Sequence, residues 1–220
     1  MIDDAGIVAF TLASAAAATL LIAVPGVAAG YLLARHRGKS RGAIETLLSL
    51  PLVLPPTAVG LLLLQVFRPN GAIGRALAAV GAPVVFTYRG VIVATTVMAF
   101  PLLVRSARTA FEEVDPRLLD VARTLGATRF SAFRRVALPL ARRGIVAGLL
   151  LAFSRGLGEF GATILVAGNI PGETQTLSLA IFHRTQLGDD PGAMRLVLVI
   201  VVIAFVAVWA TELLTRKRAR

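Results

Sequence analysis

Arg155 and Glu159 stand four residues apart inside a run that is otherwise apolar, SRGLGEFGATIL. On a helix that spacing puts both side chains on one face, a turn apart, where they can form an ion pair. An ionised acid in the middle of a bilayer costs roughly 2.5 to 3.5 kcal/mol on insertion scales, so the Glu159 carboxylate needs such a partner. Two roles stay open for the pair: a charged element that lines or gates a path, or a structural pair that locks helices where subunits meet. Gly158 and Gly161 flank it. Small residues let helices approach closely in lipid, and they also permit a local break whose free N–H groups face outward. Thr163, Asn169, Thr174, Gln175 and Thr176 follow at or beyond the end of the same run. On the residues alone they read as an ordinary solvated loop, or as hydroxyl and amide donors suited to transient contact with an anion.

Other chemistry finds little support. The chain has no cysteine, which removes disulfides, thiolate metal sites and a cysteine nucleophile. His36 and His183 are isolated, with no second ligand at metal spacing. Gly38-Lys39-Ser40 has the ending of a phosphate-binding loop, but the pattern needs a glycine at the position held by Leu33. No Ser-His-Asp set or carboxylate pair stands out, so neither an enzyme nor a cofactor or metal site is expected. Any ATP that powers this chain must bind to a separate subunit.

The elements that position these residues follow from hydropathy. Of the 220 residues, 56% are hydrophobic, above the usual share of a soluble domain. Residues 7–34 carry no charge and exceed the roughly 20 needed to cross a bilayer. Further spans are predicted over 43–67, 90–108, 144–168 and 194–215. This makes an all-α polytopic membrane protein with five transmembrane helices, or six if 70–88 or 176–190 is counted, within a single domain of 1–220. Pro51, Pro55 and Pro56 should break or bend the second span. The basic segments RHRGKSRG at 35–42 and RKRAR at 216–220, with the nine arginines between 105 and 143, fall on one side. By the positive-inside rule that side is cytoplasmic, which places the amino terminus outside and the carboxyl terminus inside. The basic excess thus orients the chain in a membrane and does not imply nucleic acid.

Between the third and fourth spans lies a charged inside loop, 109–143. Leu118, Ala122, Leu125, Phe130, Phe133 and Val136 recur in it at spacings of three to five, which predicts an apolar stripe on a charged helix. Gly126 interrupts the stripe, giving two short helices about a turn, and Pro139 should end the pattern before the next span. Glu112, Glu113 and Asp115 are placed to start the first of these helices. On physics alone such a segment could lie on the anionic inner leaflet, its arginines on lipid phosphates.

The loop resembles the Glu-Ala-Ala motif of ABC importer permeases, which continues with three residues, Gly, nine residues, Ile, one residue and Leu-Pro. Here Asp120, Val121, Ala122, Gly126, Val136, Leu138 and Pro139 stand at those spacings, with Glu to Asp, Ala to Val and Ile to Val as departures. The segment RGLGEFGATILVAGNIPGETQTLSLAIF, with LPLVLPPTAVG and AFPLLVRSAR, is similar to the oxyanion branch of that family and most to its molybdate permeases. The resemblance implies an ATP-driven importer of molybdate in the cytoplasmic membrane of a prokaryote, with sulfate, thiosulfate or tungstate as the alternative cargo. It also implies a second copy of the chain, a cytoplasmic ABC ATPase dimer docked on the loop, and an external oxyanion-binding protein. A membrane scaffold with a lipid-binding basic loop is the reading from another class. Arg155, Gly158, Glu159, Gly161, Thr163 and Asn169 become pathway or gate candidates, hydroxyl and amide donors suiting an anion that must be released again.

Overall fold

The computed structural model of the chain describes residues 4–36, 38 and 40–215. Among these residues the secondary structure is helical throughout. Helix α1 covers Asp4–Arg35, α2 Arg41–Val53, α3 Pro56–Phe67, α4 Ala72–Ala79 and α5 Tyr88–Glu112. Helix α6 covers Pro116–Thr124 and α7 Arg129–Ala132; a π turn at Phe133–Ala137 joins α7 to α8, Leu138–Leu157. Helix α9 covers Gly161–Val166, α10 Leu177–Gln186 and α11 Asp190–Thr215.

Four helical runs are long and apolar enough to cross a membrane: α1, α5, the run Arg129–Leu157 and α11. Helices α2 and α3 make a fifth if counted together across their 105° bend. The bend has a local cause. Leu54 precedes Pro55 and Pro55 precedes Pro56, and a residue before proline is pushed out of the helical region. Leu54 and Pro55 are accordingly extended, at ψ 145° and 133°. The segments 70–88 and 176–190 each hold a short helix, α4 and α10, of 8 and 10 residues.

The fourth predicted span needs correction at both ends. Its helix starts at Arg129 and stops at Leu157, instead of running over 144–168. Pro139 does not end the inside helix as expected. A proline clashes with the carbonyl four residues back, and a wide turn relieves that clash; here the π turn precedes it, Leu138 N–H donating to the Phe133 carbonyl. The helix therefore passes through Pro139 into the membrane. Beyond Leu157 the chain breaks at 158–160 and resumes as α9.

Lipid supplies no hydrophobic drive between helices, so close packing of small residues holds them together. A Cβ on Gly26 or Gly30 of α1 would come within 2.6 and 2.7 Å of Leu103 and Ala107 on α5. On the other side of α5, Ser106 donates to the Gly144 carbonyl of α8 at 2.9 Å. Helix α5 is thus the buried centre, between α1 and α8. At its basic end Ala107, Ala110, Phe111 and Val114 form one core cluster with Leu119, Ala132, Ala137, Ala141 and Ile145. At the opposite end Ile7, Leu177, Ala180 and Leu196 tie α10 to α1 and α11. There Arg184 pairs with Asp4, which raises the arginine above its ordinary value, the hydrogen bond contributing most. Helix α11 leaves Leu198, Val201, Val202, Phe205 and Trp209 exposed, as a lipid-facing helix would.

Candidate functional site

Two regions carry the residues singled out above. In the first, Arg155 at the end of α8 meets Glu159 as predicted, Nη1 to Oε2 at 2.8 Å, with the carboxylate side chain only 2% exposed. The other carboxylate oxygen has a task that the sequence did not reveal. Glu159 Oε1 accepts the Ala162 N–H at 2.8 Å, so the acid caps α9 and bridges the break between the two helices. Gly158 at this break is exposed with no atom within 4 Å of a built Cβ, whereas one on Gly161 would meet the Pro56 Cβ at 2.7 Å. A Cβ on Gly60 in α3 would likewise come within 2.8 Å of the Ala162 Cα. The break in α2–α3 and the break in α8–α9 therefore pack on each other.

The polar residues beyond α9 are not a solvated loop. Thr174, Gln175 and Thr176 are buried. Gln175 Nε2 donates to Asn169 Oδ1 at 3.0 Å, and Ile170 N–H donates to Thr174 Oγ1 at 3.0 Å. These bonds fold the turn on itself, leaving Asn169 engaged. Thr163 is fully buried on α9, its hydroxyl without a hydrogen-bond partner among the described residues.

The second region is the inside loop. Asp115 caps α6 by accepting the Arg117 N–H at 2.9 Å, while Glu112 closes α5 instead of starting the loop helix. The turn after α6 has Gly126 at φ +86°, a left-handed conformation that glycine adopts without penalty. Thr128 then caps α7 by accepting the Ser131 N–H at 3.1 Å. The expected single stripe is divided in two. Leu119 is buried in the basic-end core, with Ala122, Phe133 and Val136 packed against it. Leu118, Val121 and Leu125 line the opposite face of α6, exposed by 47, 56 and 83%, and Phe130 is exposed on α7. Asp120 is exposed beside Arg123, 3.9 Å away. Of the motif positions, Ala122, Val136 and Leu138 thus turn toward the core, and Asp120, Val121, Gly126 and Pro139 outward.

A charge network not expected from the residues lies next to this loop. Arg41 binds Glu45 at 2.7 Å and also Glu112; Arg108 binds Glu45 at 2.5 Å and lies 3.6 Å from Glu112. It holds the start of α2 to the end of α5. Two i, i+4 pairs in the sequence, Arg41 with Glu45 and Arg108 with Glu112, were the signal.

The two regions offer an exposed apolar face on α6 and a packed crossing of broken helices. Solved structures share the fold. A bacterial alginate ABC transporter, in complex with an alginate-bound periplasmic protein, aligns with a TM-score of 0.73 at 19% identity, covering 96% of this chain and 77% of that one. The MetNI methionine ABC transporter in an inward-facing conformation aligns at 0.67 and 21% identity, covering 94% of each. Curated relatives are nearer in sequence. The molybdenum transport system permease protein ModB of Escherichia coli K12 is 42% identical over 90% of this chain and 87% of its own length. ModB of Haemophilus influenzae is 38% identical over 93% and 90%, and the sulfate transport system permease protein CysT of Salmonella typhimurium 37% over 96% and 76%. Residues 26–220 match the family described as the inner membrane component of binding-protein-dependent transport systems, and the chain belongs to that family.

Proposed function

We propose that the chain is the permease subunit of an ATP-driven importer that carries molybdate across the inner membrane. Its closer similarity to ModB than to CysT, over a larger share of the relative, supports molybdate over sulfate. Two copies enclose the path, an external binding protein delivers the oxyanion, and an ATPase pair docks from the cytoplasm. The amino terminus lies outside and the carboxyl terminus inside, with the basic ends of α1, α5 and α6 on the cytoplasmic side.

The observation that carries the reading is the exposed apolar face of Leu118, Val121 and Leu125 on a helix fixed from behind by Leu119. An unpartnered face of that kind on a charged helix fits a groove in another protein. Asp120, Val121, Ala122, Gly126, Val136, Leu138 and Pro139 form the coupling element. Leu119 joins α6 to the core at the end of α5, and the unbroken helix through Pro139 joins α7 to α8. Closure of the ATPase pair around ATP therefore moves α5 and α8 together and opens the path outward; hydrolysis resets it. Arg155 and Glu159 hold the break beside the path and do not bind the oxyanion, since both carboxylate oxygens already face partners.

The test is molybdenum and sulfur accumulation in cells lacking the chain, with and without its re-expression, at nanomolar molybdate. Molybdenum lost, restored by re-expression, and blocked by tungstate but not by sulfate supports the reading. Lost sulfur uptake with unchanged molybdenum moves the cargo to sulfate.

A further inference from the structure

Near the basic end of α1 a cleft of about 660 Å³ opens between α1 and the inside loop. Ala28, Tyr31, Leu32 and Arg35 of α1 line one wall, and Leu119, Asp120 and Arg123 of α6 with Arg129, Phe130 and Phe133 line the other. Its floor is aromatic, Tyr31 lying 4.6 Å from Phe133 and 5.1 Å from Phe111 between ring centroids. Of the coupling element only Asp120 reaches this cleft; the exposed apolar face of Leu118, Val121 and Leu125 lies outside it.

Arg35 is its unexplained feature. The guanidinium Nε and Nη2 are buried and have no hydrogen-bond partner among the described residues. The group lies 5.9 Å from the Tyr31 ring centroid, a contact that satisfies neither N–H. Buried, unpaired guanidinium N–H groups are costly, and a planar donor fork of this kind matches phosphate oxygens. Arg129, on the facing wall, also has no carboxylate partner among the described residues, and Asp120 is the one acid in the lining. The cleft therefore carries net positive charge above an apolar, aromatic base.

Continuity with α1 decides between possible anions. Leu21, Val24, Ala28 and Leu32 are exposed at spacings of three and four, forming a single apolar stripe that ends at Arg35. A free oxyanion would make no use of that stripe. We propose that the cleft binds one anionic phospholipid of the inner leaflet, its phosphate on Arg35 and Arg129 and an acyl chain along Leu32, Ala28, Val24 and Leu21. The leaflet assignment rests on the orientation proposed above; the site itself does not depend on the transported ion. Because α6 and α7 supply one wall, a bound lipid ties α1 to the coupling element.

The test uses the full chain in mild detergent and native mass spectrometry after addition of phosphatidylglycerol, phosphatidylcholine or inorganic phosphate. The expected result is one phosphatidylglycerol retained per chain in preference to phosphatidylcholine, and not displaced by inorganic phosphate. Arg35→Gln and Arg129→Gln should each weaken retention about fivefold, the effect of one arginine at an anionic surface. Arg142→Gln, on an exposed part of α8 outside the cleft, should leave it unchanged. If Arg35→Gln does not accumulate, Arg129→Gln carries the test, since its side chain is exposed. Equal retention of the two lipids, or retention unchanged in Arg129→Gln, overturns the proposal. Displacement by inorganic phosphate makes this a free-anion site, and displacement by added ATPase makes it part of that interface; either overturns the lipid assignment. A chain that carried sulfate would still give the expected result, so this outcome and the cargo are read separately.

Discussion

Gly161 of α9 lies directly on Pro56 of α3, so close that a Cβ on the glycine would come within 2.7 Å of the proline Cβ. One residue starts the helix after the α8 break and the other starts the helix after the α2 break. The two discontinuities of the bundle therefore support each other, and neither could be moved without the other. Gly161→Val should overpack the crossing and destabilise the chain by about 1 to 3 kcal/mol. Gly158→Ala, at an open position three residues earlier, should stay within about 0.5 kcal/mol of the parent. Thermal unfolding in detergent compares the two, and equal loss in both would show that the crossing is not tightly packed.

Glu159 and Arg155 are unequal partners. The carboxylate side chain is 2% exposed and the arginine 28%. Arg155→Ala leaves a buried charge alone and should cost about 3 to 5 kcal/mol. Glu159→Gln keeps an acceptor for the Ala162 N–H and leaves the cation partly solvated, so its cost should be smaller, about 1 to 3 kcal/mol. The double variant should be more stable than the sum of the two losses implies, as a double-mutant cycle would record. Strict additivity would mean that the pair contributes nothing as a pair.

Much of this arrangement was legible in the residues. Proline pairs fix where a helix must break, and Pro55-Pro56 placed the bend between α2 and α3. The spacing of Arg155 and Glu159 gave their ion pair. What could not be read was the second carboxylate bond, because capping depends on where the chain resumes helix after Glu159, and hydropathy continues smoothly across that break. Pro139 misled for a related reason: a π turn upstream absorbs the proline, and nothing in FRRVALP announces one. The apolar stripe of the loop divided because Leu118 and Leu125 stand on the outer face of α6 and Ala122 on its inner one, so a loose spacing of three to five residues mixes two faces. Arg35 looked like one more cation of the positive inside, and only the packing of α6 and α7 over α1 reveals its burial.

Gly126 separates backbone from contact. It holds φ at +86°, yet a Cβ built there meets no atom within 4 Å. Gly126→Val is opposed by conformation alone, at about 1 to 3 kcal/mol, and should distort the turn from α6 to α7 while membrane insertion stays intact. Transport-coupled ATP hydrolysis should fall in that variant. Gly126→Asn, a residue that tolerates the left-handed region, should retain most of it. Equal activity of both variants in reconstituted vesicles would remove Gly126 from the coupling element.

Leu125 and Leu119 test the two faces of the loop separately. Leu125 is 83% exposed, so Leu125→Asp should change the stability of the chain itself by no more than about 0.5 kcal/mol. If α6 docks in an ATPase groove, the same change removes an apolar contact and places a charge there, weakening association tenfold or more, about 1.4 kcal/mol. Leu119→Asp should behave oppositely. That side chain is 9% exposed within the core at the end of α5, and replacing its apolar packing with a carboxylate should destabilise the fold before any partner is met. Co-purification of the ATPase with each variant, alongside its melting temperature, distinguishes the two effects. A Leu125→Asp chain that still retains the ATPase at parental affinity would place the docking face elsewhere, and the exposed apolar row on α6 would then need another occupant.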